Sequence, residues 1–218
     1  MKRMKTYFFV LIISVFSISC NVVQNANIFT DQDDVQLGQQ VVAEMNANPK
    51  EYPIYKGDPS LKQYINERIF QHILNSPLVK KKNVFKYNIE IIDRPDVMNA
   101  FALPGGNIYV YTGLLKYLDS EAALAGVIAH EIAHAEKRHA TRRMTQYYGA
   151  SILVSLILGK NPSQLSEIVS NLFVGAAFLA NSRANEDEAE ASIVEYIRGT
   201  RYNPGAVKFF FKKMQSDN

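Results

Sequence analysis

Apolar residues recur at helical spacing in the first third of the chain and predict two helices there. A capping box that begins at Thr30 starts the first helix, which ends near Asn46. Asp58 and Pro59 are an N-cap followed by proline at the first helical position, and their helix ends near Asn75. The residues expected to face inward are Val35, Leu37, Val41, Val42 and Met45 in the first helix, and Leu61, Ile65, Ile69 and Ile73 in the second.

The middle of the chain alternates apolar and polar residues, which is the pattern of half-buried strands. Residues 85–91 are the clearest case, and residues 97–103 and 107–112 are two further strand candidates. Pro104-Gly105-Gly106 between the last two is turn chemistry, so we expect these strands to form a hairpin. The pattern therefore predicts a small antiparallel sheet.

The most apolar stretches lie in the second half of the chain. Residues 122–134 contain no Pro and one Gly, so they predict a buried helix, capped by Asp119 or Ser120. The runs 149–158 and 168–180 are each shorter than the roughly 20 residues that a membrane-spanning helix needs. We expect them to form a buried helical hairpin, and the alternative is a patch that docks on a bilayer or on a membrane-protein substrate.

Composition and charge narrow the class of protein. A chain of 218 residues that is 47% hydrophobic is expected to form one domain with a sizeable core. Lys2, Arg3 and Lys5 account for the net charge of +3, because the 24 basic and 21 acidic residues balance without them. A near-neutral protein gives no basis for nucleic-acid binding.

Residues 1–19 are organised like a targeting segment. Their three basic residues precede an apolar region at 7–17 that is too short to span a bilayer comfortably. The only cysteine of the chain, Cys20, follows and has no internal disulfide partner. The segment resembles a bacterial lipoprotein signal, which implies a signal peptide at 1–19, a lipid anchor on Cys20, a tether at 20–30 and a place in the cell envelope facing the periplasm. An ordinary signal peptide with an incidental cysteine is the alternative.

The predicted buried helix carries the pattern His130-Glu131-Ile132-Ala133-His134. Residues four apart lie on one helical face, so both imidazoles can reach a single metal ion. Glu131 is turned by about 100° and lies beside that ion. This is the H-E-x-x-H zinc arrangement, in which the Glu is the general base. Burying two His and a Glu on so apolar a helix would be costly without a partner such as a metal, which makes a chance match the weaker interpretation.

A zinc peptidase site needs a third protein ligand. The extended metzincin pattern is excluded, because the chain has Lys137 and Ala140 where that pattern needs Gly and His. No His follows His139, so a ligand further along the chain must be a carboxylate. Glu186 and Glu190 share one helical face, and spacing alone does not choose between them.

Three motifs together resemble one zinc metalloprotease family, which includes the CAAX prenyl proteases, the HtpX heat-shock proteases, the mitochondrial Oma-type proteases and the periplasmic BepA-like proteases. They span residues 99–190, with looser similarity over about 31–210. The motifs are His130-Glu131-Ile132-Ala133-His134 followed by Arg138-His139, the segment Ser182-Arg183-x-x-Glu186-x-Glu188-Ala189-Glu190, and the segment Asn99-Ala100-Phe101-Ala102-Leu103-Pro104-Gly105-Gly106-x-Ile108-Tyr109-Val110-Tyr111-Thr112-Gly113-Leu114-Leu115.

The resemblance implies a fold and a ligand set. The fold is a mainly helical α+β, gluzincin-like metallopeptidase domain over 31–218, with the small antiparallel sheet packed beside the active-site helix. One zinc per chain is implied, with Glu186 as its third ligand. Glu190, where the family usually has Asp, and Arg183 are implied to support the site from outside the ligand shell.

The implied activity is endopeptidase cleavage of unfolded or misassembled envelope proteins. Metal-activated water would attack a peptide carbonyl, with Glu131 as the base. The strand at Asn99, Ala100 and Phe101 would offer an open sheet edge, on which an extended polypeptide substrate adds as a further strand. Such pairing needs an unfolded or loop substrate.

Several features leave alternatives open. The family often has a Ser/Thr-x-His-Pro segment well after the zinc-binding Glu, and this sequence reaches Asn218 without it. We expect either a shortened relative or a C-terminally truncated sequence. Without that segment, Tyr202 or Arg183 would stabilise the oxyanion.

Two other classes of function are alternatives to a peptidase. They are a catalytically weak metal-binding chaperone or assembly factor for outer-membrane proteins, and a purely structural lipoprotein. Glu131 argues against the first of these.

Overall fold

Helices surround a three-stranded sheet in the computed structural model, and the mainly helical α+β class expected from the sequence is confirmed. The predicted signal peptide, Cys20 and the second apolar run at 168–180 lie outside the described residues. Within the described part of the chain, no helix combines the length and hydropathy needed to cross a membrane. The structure describes residues 27–148, 150–160, 163, 167 and 183–203.

The chain enters the fold at the end of the expected tether. Phe29 is buried, and the Asn27 amide donates a hydrogen bond to Thr141 Oγ1 at 3.0 Å. Helix α1 (Asp31–Ala47) then begins at the predicted capping box, where Thr30 Oγ1 accepts from the Asp33 backbone N–H at 3.1 Å. Its fully buried apolar residues are Leu37, Val41 and Met45.

Helix α2 covers residues 59–74 and contains a π-helical stretch. It begins as Pro59–Tyr64, continues as a π-helix over Ile65–Phe70 and ends as Gln71–Leu74. Asp58 caps it as predicted, because its Oδ1 accepts from the Ser60 backbone N–H at 2.8 Å. The expected apolar row is buried at Ile65, Ile69 and Ile73.

The sheet contains β1 (Asn88–Ile92), β2 (Ala100–Ala102) and β3 (Asn107–Tyr111), in the order β1-β3-β2. The predicted hairpin is confirmed, since β2 and β3 pair antiparallel across the Pro104–Gly106 turn. The expectation of an all-antiparallel sheet is wrong, because β1 pairs parallel with β3. Alternating residues define the faces of a strand but not the direction of its neighbour, and here the chain passes over to β2 before it returns through the central strand β3.

The two faces of the sheet belong to two apolar clusters. Ile108 and Val110 of β3 face a cluster that includes residues of α2 and of the buried helix at 121–136. Tyr109 and Tyr111 face a second cluster that includes residues of α1. This alternation is the period of two expected for a strand covered on both sides.

Five helices follow the sheet in the described part of the chain. Helix α3 (Thr112–Tyr117) was not predicted, and it starts where the third strand candidate was expected to end. Helix α4 (Glu121–Glu136) is the predicted buried helix, capped by Ser120, whose Oγ accepts from the Ala123 backbone N–H at 3.2 Å. The remaining helices are α5 (His139–Tyr147), α6 (Ala150–Ile157) and α7 (Arg183–Ile197).

Helix α6 covers most of the first apolar run. Leu153 and Leu156 are buried in the second cluster. Val154 is exposed on the helix, and Leu158, which follows the last helical residue, is exposed as well. The expected burial of this run therefore holds for one face of the helix.

Candidate metal centre

Helix α4 presents His130 and His134 on one face, as their spacing predicts. Their Nε2 atoms lie 2.8 Å apart, and both side chains are nine-tenths buried. Burial lowers the pKa of His134 well below its ordinary value, and the neighbouring His130 adds to this effect. The His134 imidazole is therefore neutral at neutral pH and has a lone pair to offer a metal.

Helix α7 packs along α4 and brings Glu186 to the two imidazoles. Its Oε2 lies 3.2 Å from His130 Nε2, and its Oε1 lies 3.6 Å from His134 Nε2. The three side chains place one potential ligand atom each within 4.8 Å of one another. Two imidazole nitrogens and one carboxylate oxygen are a donor set that suits zinc and leaves a fourth position open.

The electrostatics around His130 also favour a bound cation. Burial by itself would lower the pKa of His130, but the hydrogen bond that its ring N–H donates to Glu186 and the charges of Glu131, Glu186 and Glu190 raise it above its ordinary value. A field that attracts a proton to this imidazole attracts a metal ion to the same lone pair.

Glu131 lies between α4 and the edge of the sheet. Its carboxylate accepts a hydrogen bond from the backbone N–H of Ala102, and burial raises its pKa to about 7. A carboxyl group with a pKa near neutrality is suited to exchange protons during a reaction.

Strand β2 is the edge of the described sheet beside Glu131. The Asn99 carbonyl accepts from the Tyr111 N–H at 3.0 Å, and the Leu103 N–H donates to the Asn107 carbonyl at 2.8 Å. Because backbone groups alternate along a strand, those of Ala100 and Ala102 point away from β3. The outward N–H of Ala102 reaches Glu131, and that of Ala100 is held by the Asn99 side chain at 2.9 Å.

The three residues expected to meet substrate therefore differ in their surroundings. Ala100 carries outward backbone groups, Asn99 is exposed, and Phe101 is turned into the second cluster, where its ring stacks on Tyr109 at 5.1 Å. Ala102, outside the expected set, is the other residue on the open edge.

Comparison with known proteins agrees with this geometry. The model of peptidase family M48 matches residues 59–216. The chain belongs to peptidase family M48. The resemblance inferred from the motifs is confirmed, and membership of this family agrees with the expected metalloendopeptidase activity.

Curated relatives of this M48 chain include two beta-barrel assembly-enhancing proteases. The protein from Yersinia pestis is 30% identical over 200 residues, which cover 87% of this chain and 39% of the relative. The protein from Escherichia coli K12 is 28% identical over 192 residues, which cover 83% and 37%. The mitochondrial metalloendopeptidase OMA1 of Arabidopsis thaliana is 31% identical over 128 residues, which cover 59% and 26%. The chain thus spans less than two-fifths of the length of these relatives.

The two residues expected to support the site are both exposed. Glu190 is exposed on α7, one turn beyond Glu186, and its charge acts on His130 from there. Arg183 is exposed at the first residue of α7.

The suggestion that Tyr202 stabilises the oxyanion is wrong. Its hydroxyl contacts Glu121 and the Arg68 carbonyl, at the first turn of α4. His130 follows Glu121 by nine residues, which is about 13 Å along a helix. The chain after α7 folds back to the start of α4, and helical spacing does not reveal such a return.

Sequence reasoning missed two residues, His139 and Glu188, that lie behind His134. His139 is 1% exposed, and its Nδ1 lies 2.7 Å from His134 Nδ1. Its Nε2 lies 3.1 Å from Glu188 Oε2. Burial lowers the pKa of His139 to about 4, so the ring is neutral at neutral pH. Glu188 does not share the helical face of Glu186 and Glu190, and only its place in the family motif hinted at a role.

Proposed function

We propose that this M48 chain is a zinc-dependent endopeptidase whose metal is held by His130, His134 and Glu186. The observation that carries the proposal is the convergence of two imidazoles and one carboxylate, supplied by α4 and α7, within 4.8 Å. Bound there, zinc supplies a Lewis acid and lowers the pKa of a coordinated water to about 7.

Glu131 is the general base in this proposal. It takes a proton from the attacking water and delivers it to the leaving amine. The backbone N–H of Ala102 orients the carboxylate, and burial raises its pKa to about 7, near the pH at which the reaction must proceed. The helix places Glu131 about 100° away from His130, so it reaches the water and leaves the metal to the other three residues.

The substrate is an extended polypeptide that pairs with the open edge of β2. The outward carbonyls of Ala100 and Ala102 point to this edge, and the hydrogen bond from the Ala102 N–H to Glu131 ties the edge to the base. A peptide added there as a strand passes beside the centre, whatever its side chains. Folded proteins do not present a free strand, so unfolded or misassembled envelope proteins are the substrates that fit.

The cellular setting is proposed from the N-terminus and from the relatives. The relatives from Yersinia pestis and Escherichia coli are named beta-barrel assembly-enhancing proteases, which supports a role on proteins of the cell envelope. A signal peptide at 1–19 would direct the chain across the membrane, and a lipid on Cys20 would then hold the enzyme on a membrane, facing the periplasm.

The lipid anchor is tested by Cys20→Ser. This variant should move from the membrane to the soluble periplasmic fraction, and continued membrane association would contradict the lipid anchor.

The same relatives favour a second candidate, an assembly factor with little catalysis, because their name includes assembly enhancement. A cleavage assay on an unfolded casein-type substrate separates the two. Purified residues 21–218 should cleave it, lose activity with a chelator and regain it when about one zinc per chain is restored. Full zinc content without cleavage would favour the assembly factor, and absence of zinc binding would contradict both.

A further inference from the structure

A partly buried chain of polar side chains extends from the back of His134 and is not used in the proposed reaction. His134 Nδ1 contacts His139 Nδ1 at 2.7 Å, and His139 Nε2 contacts Glu188 Oε2 at 3.1 Å. Arg142 Nη1 lies 3.2 Å from the same carboxylate oxygen, and Lys137 Nζ lies 3.4 Å from the other. The two cations hold Glu188 in place against His139.

The proton positions along this chain follow from the direction of His134. Its Nε2 faces Glu186, so a metal there takes that lone pair and leaves the proton on Nδ1. This N–H then donates to the bare Nδ1 of His139, whose Nε2–H donates to Glu188. Every donor meets an acceptor, and the order cannot be reversed while His134 binds through Nε2.

The backbone is shaped for this contact. In an unbroken helix, His139 would lie about 140° around the axis from His134, on another face. Arg138, which follows the end of α4 by two residues, instead adopts a left-handed conformation with φ 58°, so α5 starts in a new direction. That break turns His139 back towards His134.

The contacts of His139 with His134 and Glu188 also join the two helices that supply the proposed metal ligands. His134 lies on α4, and Glu188 lies two residues after Glu186 on α7. The chain through His139 is therefore a second connection between α4 and α7, on the side of His134 away from the centre.

We propose that His139 and Glu188 are positioning residues that fix the tautomer and ring orientation of His134 and thereby raise the zinc affinity of the centre. The proposal rests on His134 being a zinc ligand. Outer partners of metal-binding histidines typically change metal affinity by about 10–100-fold. The two residues act in series, so loss of either breaks the same connection.

The test is zinc affinity, measured by chelator competition on purified residues 21–218 at one pH. His139→Leu and Glu188→Leu should each weaken zinc binding by about 10–100-fold, because neither replacement side chain offers a hydrogen-bond acceptor. The double variant should be little worse than either single variant, since both act through His134. His139→Asn should recover part of the affinity, because its amide oxygen can replace the Nδ1 acceptor.

Two controls separate positioning from general destabilisation. Asp187→Asn removes the same charge from the neighbouring, exposed position of α7 and should leave zinc affinity within twofold. The cobalt-substituted protein should show shifted ligand-field bands in His139→Leu and not in Asp187→Asn, since a rotated His134 changes the coordination geometry.

Three results would overturn the proposal: unchanged zinc affinity in both single variants, additive losses in the double variant, or an equal loss in Asp187→Asn. Failure of the zinc site itself looks different, because then the wild type and Glu186→Gln would bind zinc equally weakly. If the wild type binds zinc and Glu186→Gln does not, the His139 and Glu188 variants alone decide the outcome.

Discussion

The two ends of helix α4 each gather a polar cluster, and the two clusters balance their charges differently. At the first turn, Glu121 receives hydrogen bonds from Tyr64, Tyr202 and Arg201, so a fixed cation meets the carboxylate at the surface. Towards the other end, His130, His134 and Glu186 converge in a mostly buried place, and none of the three carries a fixed positive charge. An exposed cluster that is closed by an arginine needs nothing more, whereas a buried cluster of lone pairs calls for a cation from outside.

The largest effect that tests this contrast is expected at Glu131, the proposed general base. Glu131→Gln should reduce peptide hydrolysis by at least 10²–10⁴-fold, because the amide is nearly isosteric but cannot accept a proton. Cleavage of an unfolded protein at neutral pH measures the loss, with zinc content determined on the same sample.

Glu121→Gln is the matched change at the other end of α4 and should leave activity nearly intact. A Glu131→Gln variant that keeps its zinc and more than about a tenth of wild-type activity would contradict the assigned role.

The next largest effect concerns the third ligand. Glu186→Gln should lose most of the bound zinc, because a neutral amide replaces an anionic ligand. Glu190→Gln should keep it, since Glu190 is exposed one turn further along α7. Metal analysis after dialysis against a weak chelator compares the two. The reverse result would move the ligand from Glu186 to Glu190.

The smallest effect is expected at the first turn of α4. Tyr202→Phe removes hydrogen bonds to Glu121 and to the Arg68 carbonyl. It should lower the free energy of unfolding by about 1 kcal/mol, or about 2–4 °C in Tm. Thermal unfolding measures the change, and zinc affinity should stay at the wild-type value. A loss of zinc in this variant would mean that the two ends of α4 are coupled.

The features predicted correctly depend on residues close together in the sequence. The capping box at Thr30, the Asp58 cap and the His130–His134 pair each need partners within four positions, and local spacing is enough to find them. The turn between β2 and β3 is equally local.

The features that were missed depend on distant partners. The parallel pairing of β1 with β3, the contact of His139 with Glu188 and the return of Tyr202 to Glu121 join residues 19, 49 and 81 positions apart. The choice of Glu186 over Glu190 came from the family resemblance, because both share one helical face. The left-handed Arg138 was also missed, since a non-glycine residue gives no local sign of that conformation.

The left-handed Arg138 has a consequence for the order of events during folding. Such a backbone costs about 1–2 kcal/mol in a residue with a side chain. Here the guanidinium is held by Asp34 on α1, at 2.8 Å from Nε and from Nη2, across 104 positions of sequence. Contacts of that separation form late, after the long loop has closed. We therefore expect the turn that brings His139 to His134 to be secured only when α1 has docked, so that the proposed zinc site would reach its full affinity as one of the last steps of folding.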